Sequence, residues 1–237
     1  MKRTLAGLCL WLAAATGVAA QTAPAAPPAF SPATHEASFK DFRFRSGESL
    51  LSLRIRYETL GAPHRNARGE IDNAVLLLHG TGGDGLSFMR PRFANGMFGP
   101  DQPLDIAKFY IVMIDSIGHG GSSKDVGDAS LSSLAKAVDG AMDALDIDKA
   151  HLVGHSMGAA TLARLAADHP QRVAILSLIS PSHMPGGEIS EPFLTGVAEA
   201  EKARAMKPWL ELLFADPEMV SKDMVEDMIK YKRTDGV

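Results

Sequence analysis

Asp148-Lys149-Ala150-His151-Leu152-Val153-Gly154-His155-Ser156-Met157-Gly158 decides the fold of this chain. It opens as a short apolar run with β character and closes on a G-x-S-x-G pentapeptide. Residues 159–167 (AATLARLAA) follow and are rich in strong helix formers. Their apolar positions 159, 162, 163 and 166 mark one helix face, and Pro170 stops the run. Strand, sharp turn and helix thus come in the order that lifts a serine hydroxyl above a sheet edge. That setting points to Ser156 as a nucleophile and to acyl-transfer chemistry. Gly154 and Gly158 have a steric reason to lack side chains, because the turn brings strand and helix backbones together. The competing reading is a glycine-flanked turn with an idle serine.

Outward from this stretch, residues 74–78 (AVLLL) and 109–114 (FYIVMI) form continuous apolar runs, as central parallel strands do. Residues 173–179 form another. Upstream, 39–44 and 51–60 alternate apolar and polar residues and read as a half-exposed antiparallel pair. Residues 86–95 read as a weak helix. Residues 131–145 form a stronger one, with apolar positions at 131, 134, 135, 138, 142 and 145. The expected fold is α/β: a mostly parallel, doubly wound sheet with antiparallel amino-terminal strands and helices on both faces. Ligands bind such sheets beyond the carboxyl ends of the strands. Loops 79–83, 115–123, 154–158 and 180–183 all fall there. Residues 187–237 change character, with Met-rich amphipathic stretches at 193–206, 209–214 and 219–231. They read as a helical lid with an adaptable apolar wall, or as a plain helical subdomain that uses Met as filler.

The amino terminus reads as a processing signal over residues 1–20. Lys2 and Arg3 precede an apolar segment too short to span a bilayer comfortably, and Val18-Ala19-Ala20 offers small residues for cleavage. A signal anchor is the rival. The expected address is periplasmic or secreted, with no stable membrane insertion after cleavage. Residues 21–37 are rich in Ala and Pro and read as a spacer; the core is expected over 38–186. Cys9, the single cysteine, lies in the leader, so neither disulfides nor thiol chemistry are expected of the mature chain. The formal charge of −4 and the lack of a basic patch argue against nucleic acid. No P-loop and no zinc spacing occur, so no cofactor or metal is implied.

Three strings together carry a resemblance to the α/β-hydrolase superfamily: His79-Gly80-Thr81-Gly82, Asp115-Ser116-Ile117-Gly118-His119-Gly120-Gly121-Ser122, and the Ser156 turn. Tyr57-Glu58-Thr59-Leu60-Gly61 with Asp72-Asn73-Ala74-Val75-Leu76 is similar to the homoserine O-acetyltransferase branch. The chain departs from that branch at His155 and Ala159, where those enzymes have Gly. The resemblance implies that Ser156 attacks a carbonyl carbon and that the backbone N–H groups of Thr81 and Met157 receive the oxyanion. Gly80 and Gly82 then allow close approach of the loop. His79 is expected to orient its loop, Asp115 and His119 to anchor theirs, and His155 to line the site.

In this family the acid and then the base follow the serine. The later histidines are His169 and His183. His169 lies along the helix, about 20 Å from Ser156 at 1.5 Å per residue. His183 follows the sixth strand, where a hinge or mouth residue is expected. Six of the family's eight strands are found, so the chain is expected to be truncated at its carboxyl terminus, lacking roughly 80 to 120 residues. The triad acid and His are then expected beyond Val237, and the strand at 173–179 would be an uncovered apolar edge. The leading expectation is a serine hydrolase cleaving an ester, less readily an amide, of a small or apolar acyl substrate. The alternatives are an acyltransferase and a non-catalytic ligand-binding scaffold.

Overall fold

Among the described residues six strands form one sheet: β1 (Ala33–Arg43), β2 (Ser49–Leu60), β3 (Ala74–Leu78), β4 (Tyr110–Ile114), β5 (Ala150–His155) and β6 (Val173–Ile179). The computed structural model describes residues 30–43, 47, 49–125, 127, 130–182 and 190–233. Residues 1–29, which hold the expected processing signal and part of the expected spacer, lie outside them, as do Phe44 and His183. The strand order is β1-β2-β4-β3-β5-β6. β2 runs antiparallel to both β1 and β4, and β4, β3, β5 and β6 are mutually parallel. The helices are α1 (Pro91–Met97), α2 (Leu131–Ala144), α3 (Met157–Asp168), α4 (Glu191–Glu199), α5 (Ala203–Glu211) and α6 (Lys222–Lys232).

β3 sits at the centre and is buried along its whole length. Leu76 and Leu78 face a core completed by Val112, Leu152 and the inner faces of α2 and α3. Val75 and Leu77 face the opposite way, toward Ile111, Met113, Ala94 and Phe98. A continuous apolar run is what a strand covered on both faces requires. Each fully buried leucine contributes about 1.5–3 kcal/mol. β6 forms the sheet's edge among the described residues, with Ile175 56% and Ile179 50% exposed.

Four elements differ from the sequence reading, each for a tertiary reason. β1 begins at Ala33, inside the stretch read as spacer, because cross-strand partners order it. Ala33 pairs with Thr59, and the His35 ring stacks on Tyr57 at 5.2 Å. β2 alternates only in its first half; residues 57–60 are buried on both faces where β4 takes over as neighbour. The helix expected at 86–95 is a 3-10 turn (Gly85–Met89) followed by α1, since Pro91 at the first helical position keeps Arg90 extended. The long helix expected at 193–206 breaks at Ala200, where ψ is 102°. Beyond the break α5 folds back so that the Trp209 ring covers Gly196, which has no room for a side chain.

α4–α6 enclose their own small core of Ala200, Met206, Leu210, Val220, Val225 and Ile229. The end of α4 is closed from outside the helix. Lys232 Nζ donates to the carbonyls of Val197 (2.6 Å), Ala198 (2.8 Å) and Ala200 (2.8 Å). Carbonyls at a helix end lack intrahelical donors, and a cation there also complements the dipole. Lys232→Met should therefore speed hydrogen exchange in the last turn of α4 and leave the protection of β3 and β5 amides unchanged. No described helix is long and apolar enough to cross a membrane.

Candidate active site

Ser156 stands between β5 and α3 with φ 52° and ψ −115°, a conformation that residues with side chains rarely adopt. Three hydrogen bonds hold it. Its N–H donates to Ile179 O (3.0 Å), and its carbonyl accepts from Ala160 N–H (3.1 Å) and Ser182 N–H (3.3 Å). Gly158 N–H donates to His79 O at 3.1 Å. The apex is also crowded. A Cβ at Gly154 would lie 2.6 Å from Ala159 N, and one at Gly158 would lie 2.5 Å from Leu78 O. A Cβ at Gly80 would come 2.9 Å from His155 Nδ1 and 3.1 Å from Ser156 Cβ. The loop after β3 therefore lies directly against the serine, and backbone without side chains is what permits it.

The Ser156 side chain is half-buried, and His155 beside it is exposed. Met157 is buried and is the first residue of α3, so its N–H has no acceptor within the helix. The helix dipole adds partial positive charge at the same place. Thr81 is exposed at the tip of a turn closed by Gly83 N–H on Gly80 O (3.0 Å). Gly82, next to it, carries the thioether of Met228: a Cβ there would lie 2.9 Å from Met228 Cε and 3.5 Å from Sδ. α6 thus reaches the loop beside Ser156 through the Met228 side chain.

His79 is 2% exposed and uses both ring nitrogens. Nε2 accepts from Ser116 N–H at 3.0 Å, which leaves the proton on Nδ1 to donate to Gly80 O at 2.8 Å. Burial pushes its pKa down to about 4, so the ring is neutral in ordinary buffers. A ring so engaged has no lone pair left for proton transfer. His119 packs 5.1 Å from the His79 ring and is also lowered, mainly by burial. Asp115 accepts from Gly85 N–H and Gly121 N–H, both at 2.7 Å. It ties the loop after β4 to the loop after β3. His169 ends α3 and faces Asp139 at 3.9 Å, at the far end of the helix from Ser156. A cleft of about 670 Å³ opens at that far end, lined by Arg68, Asp139, Lys149, His169 and Arg172 among others. It is remote from the serine. Among the described residues no side chain hydrogen-bonds the Ser156 hydroxyl, and no cluster of three His, Cys, Asp or Glu residues could hold a metal.

Three neighbours of this site escaped the sequence. Glu58 and Arg56 look like the solvent face of an alternating strand, yet Glu58 is completely buried. The crowding that makes Gly85, Gly120 and Gly121 necessary is set by these side chains and by Asp115, so the glycines were the available signal. Met228 was one methionine among several, and only the packing of α6 singles it out.

The structure is that of an α/β protein whose mostly parallel sheet carries a serine at a strand-to-helix apex, with helix N–H groups beside it. The chain belongs to the family described as the alpha/beta hydrolase fold, which residues 73–211 match. It is 37% identical over 185 residues to the dihydrolipoyllysine-residue acetyltransferase component of the acetoin cleaving system of Cupriavidus necator, covering 78% of this chain and 44% of that protein. It is 35% identical over 135 residues to a 2-hydroxy-6-oxo-6-phenylhexa-2,4-dienoate hydrolase of Comamonas testosteroni, covering 56% of this chain and 45% of that protein. The chain thus spans less than half the length of both relatives. The solved structure of a hydrolase of the same name from Rhodococcus superposes with a TM-score of 0.58 at 22% identity, covering 86% of this chain and 68% of that one. At that identity the likeness is one of fold.

The strained apex makes a testable statement about stability. Ser156→Gly removes a positive-φ penalty of about 1–3 kcal/mol and adds about 0.5–1 kcal/mol of backbone entropy cost. Chemical denaturation should show it more stable than the parent by about 1 kcal/mol, with an unchanged m-value.

Proposed function

We propose that this chain carries the nucleophile and oxyanion site of a serine hydrolase that works through an acyl-enzyme on Ser156. The observation that supports it best is the Ser156 backbone at φ 52° and ψ −115°, held at a helix N-terminus against a glycine-lined loop. Strain of this kind persists only where surroundings enforce it, and it aims the hydroxyl off the sheet edge. In the proposed reaction the Ser156 oxygen adds to an acyl carbonyl carbon, and its proton goes to a general base. The oxyanion takes hydrogen bonds from Met157 N–H and Thr81 N–H. One such donor is typically worth about 3 kcal/mol of barrier. Collapse expels the alcohol, and water then releases the acid.

Small or apolar acyl esters are the proposed substrates. The helices α4–α6 serve as a lid, with Met228 as the part of its wall that stands on Gly82. The names of the relatives extend the range to keto-dienoates, where attack on the ketone carbon would break a C–C bond and the departing carbon fragment, rather than an alcohol, would take up the proton. A second reading is acyl transfer, in which an alcohol or amine replaces water as acceptor; the name of the 37%-identical relative favours it. The leader at residues 1–20 supports an address outside the cytoplasm.

A fluorophosphonate probe tests the nucleophile. In the full-length gene product, where the expected acid and His would activate the serine, Ser156 should be labelled and Ser156→Ala should not be; equal labelling of both would overturn the reading. Product analysis with added alcohol separates hydrolysis from transfer. Met228→Ala should change the preference among acyl chain lengths by several-fold in kcat/KM, since one or two methylenes in an apolar pocket are worth about 1–3 kcal/mol.

A further inference from the structure

A cluster of charged groups is shut beneath the two loops that flank Ser156. Glu58 on β2 is fully buried, and Asp115 is 1% exposed. Arg56 Nε lies 3.0 Å from Glu58 Oε1 but is off-line for a hydrogen bond. Asp84 faces the pair from the loop after β3. His79 and His119 feel the charge of Asp84, and burial lowers the pKa of both rings. Gly85 is the meeting point. A Cβ there would be 2.6 Å from Glu58 Oε2 and 3.1 Å from Asp115 Oδ1.

Two buried carboxyl groups thus face one guanidinium. With both ionised the cluster holds a surplus negative charge away from solvent, which is costly; with one proton retained Glu58, Asp115 and Arg56 balance, leaving the half-buried Asp84 charge beside them. The hydrogen bonds decide which group keeps the proton. Burial raises the Asp115 pKa as well, but Asp115 accepts two backbone N–H bonds, and such donors favour its ionised form. Neither oxygen of Glu58 has a hydrogen-bond donor among the described residues. Glu58 is therefore the member that holds it.

We propose that protonated Glu58 is a positioning residue for the candidate oxyanion loop. It acts through Asp115, which grips Gly85 and Gly121 and so sets residues 80–85 against Ser156. When Glu58 loses its proton, the two carboxylates repel behind a single arginine, and the grip on Gly85 loosens. Burial, then the Asp115 charge, push the Glu58 pKa up to about 7, and Arg56 opposes them. The sign follows from linkage. Because the folded value lies above the ordinary 4.5, the stabilisation is complete below about 4.5 and is lost as pH rises through about 7.

The test compares the full-length wild-type chain with Glu58→Gln and Arg56→Gln. Melting temperature is followed from pH 5 to 9, together with the rate of Ser156 labelling by a fluorophosphonate. Glu58→Gln keeps the shape and cannot ionise. Relative to it, the wild type should lose melting temperature as pH rises through neutrality. The labelling-rate ratio of Glu58→Gln to wild type should grow by up to about tenfold per pH unit above the break. Arg56→Gln should move the break to higher pH, because the opposing cation is gone; this arm decides the matter if Glu58→Gln does not fold. Parallel pH profiles in all folded variants overturn the proposal, as does an Arg56→Gln break that stays in place. The kinetic arm rests on Ser156 as nucleophile and the thermal arm does not. Labelling that survives Ser156→Ala would sink the serine reading, while the melting profiles still judge Glu58.

Discussion

At Ser156 the chain must pass from a strand into a helix with almost no room, and much of the surrounding architecture is the means of making that possible. The turn's N–H is tied to the end of β6 and its carbonyl to the first turn of α3. Leu78 and His79 backbone oxygens occupy the space a side chain at residue 158 would need. β3 and β5 must therefore be adjacent and parallel, as they are, with the loop after β3 folded over the apex. Glycine at 80, 154 and 158 is a consequence of that single close approach.

The same constraint shapes the electrostatics. Loops that crowd an apex carry polar backbone into the interior, and that backbone needs partners. His79 supplies two, as a neutral ring bridging Ser116 and Gly80, and Asp115 supplies two more to Gly85 and Gly121. These side chains brace the site from below, at the level where burial holds His79 uncharged.

The central strands and the turn were legible in the sequence because their signals are local. An uninterrupted AVLLL and a glycine-flanked serine between a β run and a helical run mean much the same in any context. What could not be read depends on partners far along the chain. The first residues of β1 are ordered by Tyr57 and Thr59. Glu58 looks like a surface residue until β4 and the loop after it close over it. α4 ends where it does because Trp209 and Lys232 return to it from other helices. The site divided in the same way: Ser156, Met157 and the glycines announce themselves by spacing, whereas Glu58 and Met228 enter through tertiary contact alone.

The closure of α4 by Lys232 has a kinetic meaning. The groups that bind α4, α5 and α6 together all lie within residues 191–233, so little chain entropy is lost in bringing them together. Such a segment forms and dissolves as one cooperative unit, on a faster clock than the strand pairings of the sheet. Its described link to the loop beside Ser156 is the thioether of Met228, a contact of a few weak dispersion pairs. A contact of that kind between a compact helical unit and the loop after β3 ties the two together loosely at this point.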